Sequence, residues 1–377
     1  MRIAVDVESY YRNRAGVGRY VAGILWGLTR LEERDEFTLF RSRTYAGRED
    51  VPGLVRDRVR EEVLPRSHRR LALSWMLMGR PVVEKFIGEH EVYFSPLVPA
   101  FPSRGKLVVV VHDMAWVKFP EFYPRHSVWL RRLGFRRAMR ECAGIITVSE
   151  ASRHDILEAA GLEGKRVLAA HNGLDERLCR RPTEEEIRRA LERLGVRRPY
   201  VLNVAGDNNK RKNLGNVIRA MAILPVEHRG AMLISVGEPR YDIQEVKEQI
   251  QALGMGERVR LLGRVSDDEL RSLYAGARLT ACPSFYEGFG LPIAESMALG
   301  TPVVTSNVSS MPEVAGDAAL LVNPRDVEEI SGAVALLLGD DRLYVSLRAK
   351  GLEWVKRFRW EKSARQVRDF FGELTGE

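Results

Sequence analysis

The sequence predicts an α/β protein built from two successive doubly wound parallel sheets. Three observations carry that reading. Short runs rich in Val and Ile alternate with helical patterns along the whole chain, the mark of βαβ units. The pattern restarts near residue 200, after the polar stretch Arg180-Arg181-Pro182-Thr183-Glu184-Glu185-Glu186. The length, 377 residues, exceeds that of an ordinary single domain, so two cores are expected.

In the first half, strands are expected at 2–7, 37–41, 107–111, 145–148 and 167–170, with weaker ones near 59–63 and 92–94. Leu107 to Val111 is wholly apolar, which suits a parallel strand covered on both faces. Helices are expected at 17–31, where Val21, Ile24, Leu25 and Leu28 share a face, and at 68–88, 127–142 and 150–160. The second half repeats the scheme, with strands near 200–205, 231–236, 258–262, 279–282, 302–305 and 319–322. Its helices fall at 213–224, 242–253, 267–275, 291–299 and 326–338. At the junction, Thr183 and Glu186 form a capping-box pattern after Pro182, opening a polar helix at a hinge. The domains are therefore expected at 1–180 and 181–358. Two helical stretches, 341–356 and 360–373, follow with no strand left to form, and 359–377 is expected to pack back on the first domain.

Composition narrows the function. No apolar run approaches the ~20 residues that span a bilayer, and the first residues read as a strand, so neither a transmembrane helix nor a signal peptide is expected. Cys142, Cys179 and Cys282 are odd in number and fit no zinc or disulfide pattern, which suits a reducing, cytoplasmic setting. The net charge of +8 is unevenly spread. Residues 1–181 hold 32 Lys and Arg against 23 Asp and Glu, whereas 182–377 hold 27 against 28. A basic half can attract anionic lipid, nucleic acid or a phosphorylated substrate, or be a plain solvated face.

In doubly wound domains the ligand crevice lies at the carboxyl ends of the strands, so function is sought in the strand-to-helix loops. Four are unusual. Arg14-Ala15-Gly16-Val17-Gly18-Arg19-Tyr20 can bring backbone close to a ligand at a helix start, although it is no Walker A loop. Val111-His112-Asp113 ends a buried strand in a histidine that either works near neutral pH or is a structural residue satisfied locally. Lys210-Arg211-Lys212 sets three cations at a helix start, against the macrodipole. A bound anion such as phosphate resolves that conflict; a solvated basic turn is the alternative. Finally, Glu287-Gly288-Phe289-Gly290-Leu291-Pro292-Ile293-Ala294-Glu295 joins glycines to a helix start and buries Glu295 among apolar neighbours. A carboxylate there needs hydrogen-bond donors, which ribose hydroxyls can supply, although an ion pair serves as well.

These residues also form a pattern. Glu287 and Glu295 make an E-x7-E motif, followed by Gly300-Thr301-Pro302-Val303-Val304. With Gly16-Val17-Gly18-Arg19-Tyr20, His112-Asp113, Ile146-Thr147-Val148-Ser149-Glu150, His171-Asn172-Gly173-Leu174-Asp175, Arg211-Lys212-Asn213 and Pro312-Glu313-Val314, the chain resembles the retaining glycosyltransferases of family 4. The resemblance implies the GT-B fold, two facing Rossmann-like domains with a deep cleft, the second binding a nucleotide sugar and the first an acceptor. It implies that Glu295 holds the ribose, Glu287 the transferred sugar, and Arg211 with Lys212 the diphosphate, helped by the backbone of Gly288, Phe289, Gly290 and Leu291. Gly16 and Gly18 would close over the phosphates, His112 would stand beside the sugar, and Arg264 with Val265 would meet the base. Arg19 and Asp113 are the candidate acceptor contacts. The chain departs from some members in carrying Asp207 where they have arginine, so the phosphate role rests more on Lys212.

Neither a metal nor another cofactor is expected, since there is no D-x-D sequence and cations with a helix dipole would stabilise the leaving diphosphate. The resemblance gives no carboxylate nucleophile, which implies front-side attack. It tilts the donor toward GDP-mannose, with UDP-sugars close behind, and the acceptor toward a glycan or lipid-linked hydroxyl, as in polysaccharide or lipopolysaccharide synthesis. Trp129, Leu130, Leu133 and Met139 beside Arg131, Arg132, Arg136, Arg137 and Arg140 read either as core or as an interfacial helix for the inner face of an anionic membrane; residues 68–88, with Trp75 to Met78, are a second candidate on the same two terms. A sugar epimerase or phosphorylase of the same fold is the rival enzyme. Nucleic-acid binding rests on charge alone and is not expected.

Overall fold

The computed structural model describes residues 1–12, 16–31, 34–65, 71, 80–98, 100–160, 166–205, 210–237 and 243–376. The chain forms two units, Met1–Gly173 with Phe358–Glu377, and Leu174–Arg357.

The first unit holds β1 (Arg2–Asp6), α1 (Glu8–Arg12), α2 (Gly16–Leu31), β2 (Glu36–Ser42), β3 (Val59–Leu64), α3 (Glu84–Ile87), β4 (Val92–Ser95), β5 (Lys106–Val110), α4 (Ala115–Lys118), α5 (Arg125–Glu141), β6 (Gly144–Thr147), α6 (Glu150–Ala160) and β7 (Arg166–Ala169). Its seven strands are parallel in the order β3-β2-β1-β4-β5-β6-β7. The order reverses between β1 and β4, the switch point where such sheets open a crevice. β4 and β6 are buried throughout, and each is apolar up to the Ser95 or Thr147 at its carboxyl end.

The second unit holds α7 (Glu176–Cys179), α8 (Glu184–Leu194), β8 (Tyr200–Val204), α9 (Leu214–Ala222), β9 (Met232–Val236), α10 (Ile243–Ala252), β10 (Val259–Gly263), α11 (Asp267–Gly276), β11 (Leu279–Cys282), α12 (Leu291–Ala298), β12 (Val303–Ser306), α13 (Met311–Ala315), β13 (Leu320–Val322), α14 (Val327–Gly339) and α15 (Asp341–Trp354). The sheet order is β10-β9-β8-β11-β12-β13, again parallel, with its reversal between β8 and β11. The capping box at Thr183 and Glu186 is present, and α8 ends on left-handed Gly195. The unit already begins at Leu174, because Asp175 caps α7 and Arg181 donates to the carbonyls of Leu299 and Ala275 within the same unit.

The last helix, α16 (Trp360–Thr375), belongs to the first unit and lies on α2. Gly23 and Gly27, one turn apart on α2, leave the surface that Trp360 and Ala364 fill. A Cβ on Gly27 would stand 2.5 Å from the Ala364 Cβ and 2.8 Å from the Trp360 carbonyl oxygen. Phe371 packs edge-on against Phe94 of β4 at 5.5 Å, and Arg368 reaches buried Asp35 at 3.3 Å. Burial of each large aromatic here contributes on the order of 1.5–3 kcal/mol.

Two expectations need correction. The helix expected at 68–88 is not continuous: residues 80–83 are not helical, α3 starts only at Glu84, and most of the earlier part, with Trp75 to Met78, lies outside the described residues. Pro81 accounts for the break, since proline lacks the N–H an interior turn needs. The apolar residues of α5 do not share one environment either. Met139 is core, whereas Trp129, Leu130 and Leu133 are exposed by 61%, 48% and 42%. Periodicity explains the split, because Val128, Phe135, Ala138 and Met139 centre on one face of the helix and Trp129 and Leu133 on another.

Candidate functional site

The carboxyl ends of β8 and β11 flank the switch point of the second sheet, and the loops leaving them are tied together. The Phe285 N–H donates to the Arg211 carbonyl at 3.0 Å. Asn213, in the left-handed region at φ 61° and opening α9, donates from its amide to the carbonyls of Pro283 and Pro324 at 2.8 and 2.7 Å. That clamp sets Arg211 and Lys212 over Glu287. Arg211 Nη1 donates to the Tyr286 carbonyl at 2.7 Å and to Glu287 Oε2 at 2.9 Å, and Lys212 Nζ lies 2.5 Å from Glu287 Oε1. All three side chains are only 11–13% exposed, so the solvated-turn reading fails. The third cation, Lys210, turns aside to Glu245 at 2.9 Å.

The anion that the cations demand is thus supplied within the chain. Burial pushes the Glu287 carboxyl up, but Arg211 and Lys212 outweigh it and hold the pKa at about 2. Ser284 Oγ also donates to Oε1 at 3.0 Å, and the Glu287 carbonyl accepts from Ser309 and Ser310 at 2.7 and 2.9 Å. Ser309 takes a left-handed φ of 56° to do so, a conformation that a serine adopts at some cost. The neighbouring Cys282 thiol is pushed up to about 12 by burial, and it stays a protonated part of the core.

Gly288 to Leu291 lead from this cluster into α12. Gly290 is the residue before the helix, at φ 104°, where a side chain would be strained. Pro292 sits in the first turn, where its missing N–H costs nothing. Glu295 follows inside α12, 6% exposed, and its Oε2 accepts from the Tyr274 hydroxyl at 3.0 Å. Phe289 is buried, and its carbonyl accepts from Ser310 at 2.8 Å. Arg264 and Val265 follow edge strand β10, with Arg264 exposed and Val265 packed on the Tyr200 and Leu202 core. Among the described residues, no hydrogen bond or ion pair joins Arg264 to the Glu287 cluster.

In the first unit His112 follows β5, and its Nε2 donates to the carbonyl of Pro96, just beyond β4, at 3.0 Å. That bond assigns the proton to Nε2 and leaves Nδ1 as the lone-pair nitrogen of the neutral ring. Burial lowers the pKa, against smaller opposing effects from the Pro96 carbonyl and Asp113. Tyr20 meets the imidazole edge-on at 4.9 Å and Trp360 at 5.9 Å. Asp113 accepts from the Ala115 N–H at 3.1 Å and so starts α4. Gly16, Gly18 and Arg19 form the first turn of α2; Arg14 and Ala15 lie outside the described residues, as do Gly206 to Asn209.

One His-Asp-Glu group among the described residues, His154, Asp155 and Glu158, gathers its donor atoms within 4.8 Å. Lys118 already fills it, 3.1 Å from Asp155 and 2.6 Å from Glu158. Sequence reasoning passed over Ser284, Ser309, Tyr274 and Trp360, whose partners are set by the fold. Only Ser284, three positions before Glu287, offered a local signal.

Comparison with known proteins agrees with this layout. Residues 14–178 match the model of Glycosyltransferase Family 4, and residues 185–354 that of Glycosyl transferases group 1. O-antigen chain mannosyltransferase B of Escherichia coli is 29% identical over 97% of this chain and 98% of its own. The serotype-specific mannosyltransferase WbdA of E. coli is 27% identical over 81% of this chain, which spans 38% of that longer protein. Anabaena HepE, solved with UDP and glucose, superposes with a TM-score of 0.76 at 20% identity over 99% of this chain and 100% of its own, a likeness of fold. The architecture is the pair of Rossmann-like domains of GT-B glycosyltransferases. With one of these family models on each half of the chain, the chain belongs to the family 4, group 1 glycosyltransferases.

Proposed function

We propose that the enzyme transfers mannose from GDP-mannose to a hydroxyl of a glycan or lipid-linked acceptor, with retention of configuration and without a metal ion or other cofactor. The observation that carries the donor site is the buried group of Arg211, Lys212 and Glu287 at the switch point of the second sheet, next to the start of α12. A diphosphate reaching these loops shares the two cations with Glu287 and gains the positive end of the α12 dipole, which supplies leaving-group stabilisation from the protein itself. Glu295 holds the ribose hydroxyls, Glu287 the sugar hydroxyls, and the backbone of Gly288 to Leu291 the phosphates. Arg264 and Val265 reach the base only through the backbone, while Gly16, Gly18 and Arg19 act from the start of α2.

Glu287 is a poor nucleophile, because both of its oxygens are engaged by cations and Oε1 also by Ser284. A covalent glycosyl-enzyme on the pattern of retaining glycosidases is therefore disfavoured. In the front-side alternative the acceptor oxygen bonds the anomeric carbon on the face the diphosphate leaves, and the departing phosphate oxygen takes the hydroxyl's proton. Neutral His112 steadies the positive charge that develops on the sugar. Mannose is supported by the E. coli relatives, both mannosyltransferases. The test is incubation of GDP-mannose and UDP-glucose separately with a mannan acceptor in EDTA, with NMR of the product. An α-mannoside from GDP-mannose alone bears the proposal out; turnover without acceptor, an inverted anomer or loss of activity in EDTA contradicts it.

A further inference from the structure

Residues 307–310 join β12 to α13 and lie against the loop that carries Glu287. Both ends of this connection are fixed. Thr305 and Ser306 donate to the carbonyls of Cys282 and Ser284 at 3.0 and 2.5 Å, and the Ser310 carbonyl accepts from the Val314 N–H at 3.1 Å as α13 begins. From this frame two adjacent hydroxyls reach the Glu287 loop. Ser309 Oγ donates to the Glu287 carbonyl at 2.7 Å and faces the Glu287 N–H at 3.4 Å. Ser310 Oγ, fully buried, stands 2.8 Å from the Phe289 carbonyl and 2.9 Å from that of Glu287; with Ser309 serving Glu287, the Ser310 proton falls to Phe289. The flanking carbonyls are held as well, Tyr286 by Arg211 at 2.7 Å and Gly290 by the Ile293 N–H at 2.9 Å.

Two features go beyond packing. Among the described residues only Asn213 and Ser309 take a positive φ without being glycine. Glycine would hold the φ of 56° without strain, so what serine adds at that position is its hydroxyl. The second feature is the geometry of the peptide itself. A trans peptide points its C=O and the following N–H to opposite sides. Drawing the carbonyls of Glu287 and Phe289 toward the serines therefore turns the N–H groups of Gly288 and Gly290 the other way. We propose that Ser309 and Ser310 are positioning residues of the donor site, aiming these two N–H groups as a nest for the diphosphate of the nucleotide sugar. They act through the loop rather than on the substrate. With the peptide planes set before the ligand arrives, little ordering remains to be done on binding. The inference rests on the donor site proposed above and names the side chains that orient its backbone.

The experiment is titration of the full chain with GDP and UDP by calorimetry, and with guanosine and uridine by saturation-transfer NMR. Ser309→Gly and Ser310→Ala should each weaken the diphosphate that the native chain binds on the order of 10-fold, the scale of one hydrogen bond to a charged group. The matching nucleoside, which has no phosphate for the nest, should bind them as it binds the native chain. Ser309→Ala loses the same hydroxyl but keeps the strained φ, so it should bind like Ser309→Gly and melt at a lower temperature. Affinity thus reads the hydroxyl, and the thermal midpoint reads the backbone. If the native chain binds a diphosphate and either Ser309→Gly or Ser310→Ala binds it undiminished, or loses the nucleoside by the same factor, the serines only support the loop; the proposal is overturned and the donor site stands. A native chain that binds neither diphosphate overturns the donor site and this proposal with it.

Discussion

The Arg211 guanidinium donates from a single nitrogen, Nη1, both to the carbonyl of Tyr286 and to the carboxylate of Glu287, at 2.7 and 2.9 Å. One cation therefore fixes the backbone and the side chain of the same loop. With Lys212 on the other carboxylate oxygen, the loop is held in place before any ligand arrives. Glu287→Gln should reduce transfer by about 100-fold or more, the scale of losing one transition-state contact. Binding of a free nucleoside diphosphate should persist, since both cations remain and one competing anion is gone. Separate measurement of kcat and of nucleotide affinity checks the two halves of this statement.

The same triad gives stability a pH dependence. The Glu287 pKa of about 2 in the fold lies below its unfolded value of about 4.3. Its stabilisation is thus complete above the unfolded value and is lost as pH falls through about 4 toward 2. The shift corresponds to about 3 kcal/mol. Denaturant unfolding of the native chain and Glu287→Gln from pH 6 downward should show a gap that narrows across that window. A constant gap would contradict the account.

For His112 the sign is that of a histidine held neutral. Its folded pKa lies below the unfolded value of about 6.5, so the neutral ring is secured above that value and lost only as pH falls further. Transfer that depends on the neutral imidazole should hold level through pH 6.5 and decline below it. His112→Ala should lower kcat by about 100-fold with nucleotide affinity unchanged. An acid limb at the ordinary histidine pKa, or a change in nucleotide affinity, would count against this role.

Tyr20 separates packing from hydrogen bonding. It is 1% exposed, and among the described residues its hydroxyl has no hydrogen-bond partner, while its ring stands between His112 and Trp360. Tyr20→Phe should be neutral or stabilise by up to about 1 kcal/mol. Tyr20→Ala should cost about 3–5 kcal/mol and lower kcat by freeing the imidazole. Chemical denaturation and kinetics of both variants check this.

Much of this was legible in the sequence because parallel strands covered on both faces must be apolar throughout. The run Val108 to Val111 announces itself, as does the Thr183 and Glu186 capping box. Short helices such as Glu8–Arg12, Ala115–Lys118 and Met311–Ala315 span too few turns to show a period. Pro81, read correctly, would have ended the helix assigned to 68–88. In the site, Glu287 and Glu295 stood out as carboxylates among glycines and apolar residues. Their partners did not, because Tyr274 lies on another helix and Ser309 beyond the next strand. The outward turn of Trp129 was equally hidden, since a periodic pattern fixes which residues share a face but not which face meets the core.

The most direct measurement is thermal unfolding of the native chain, Lys212→Ala and Glu295→Ala with GDP, UDP, ADP and their sugars. At about 100 times its dissociation constant, a ligand adds about 2.7 kcal/mol of stability. Guanine nucleotides should raise the native midpoint, and both substitutions should abolish the rise. A native chain indifferent to every nucleotide, or a rise that survives both substitutions, would contradict a donor site at the β8 and β11 switch point.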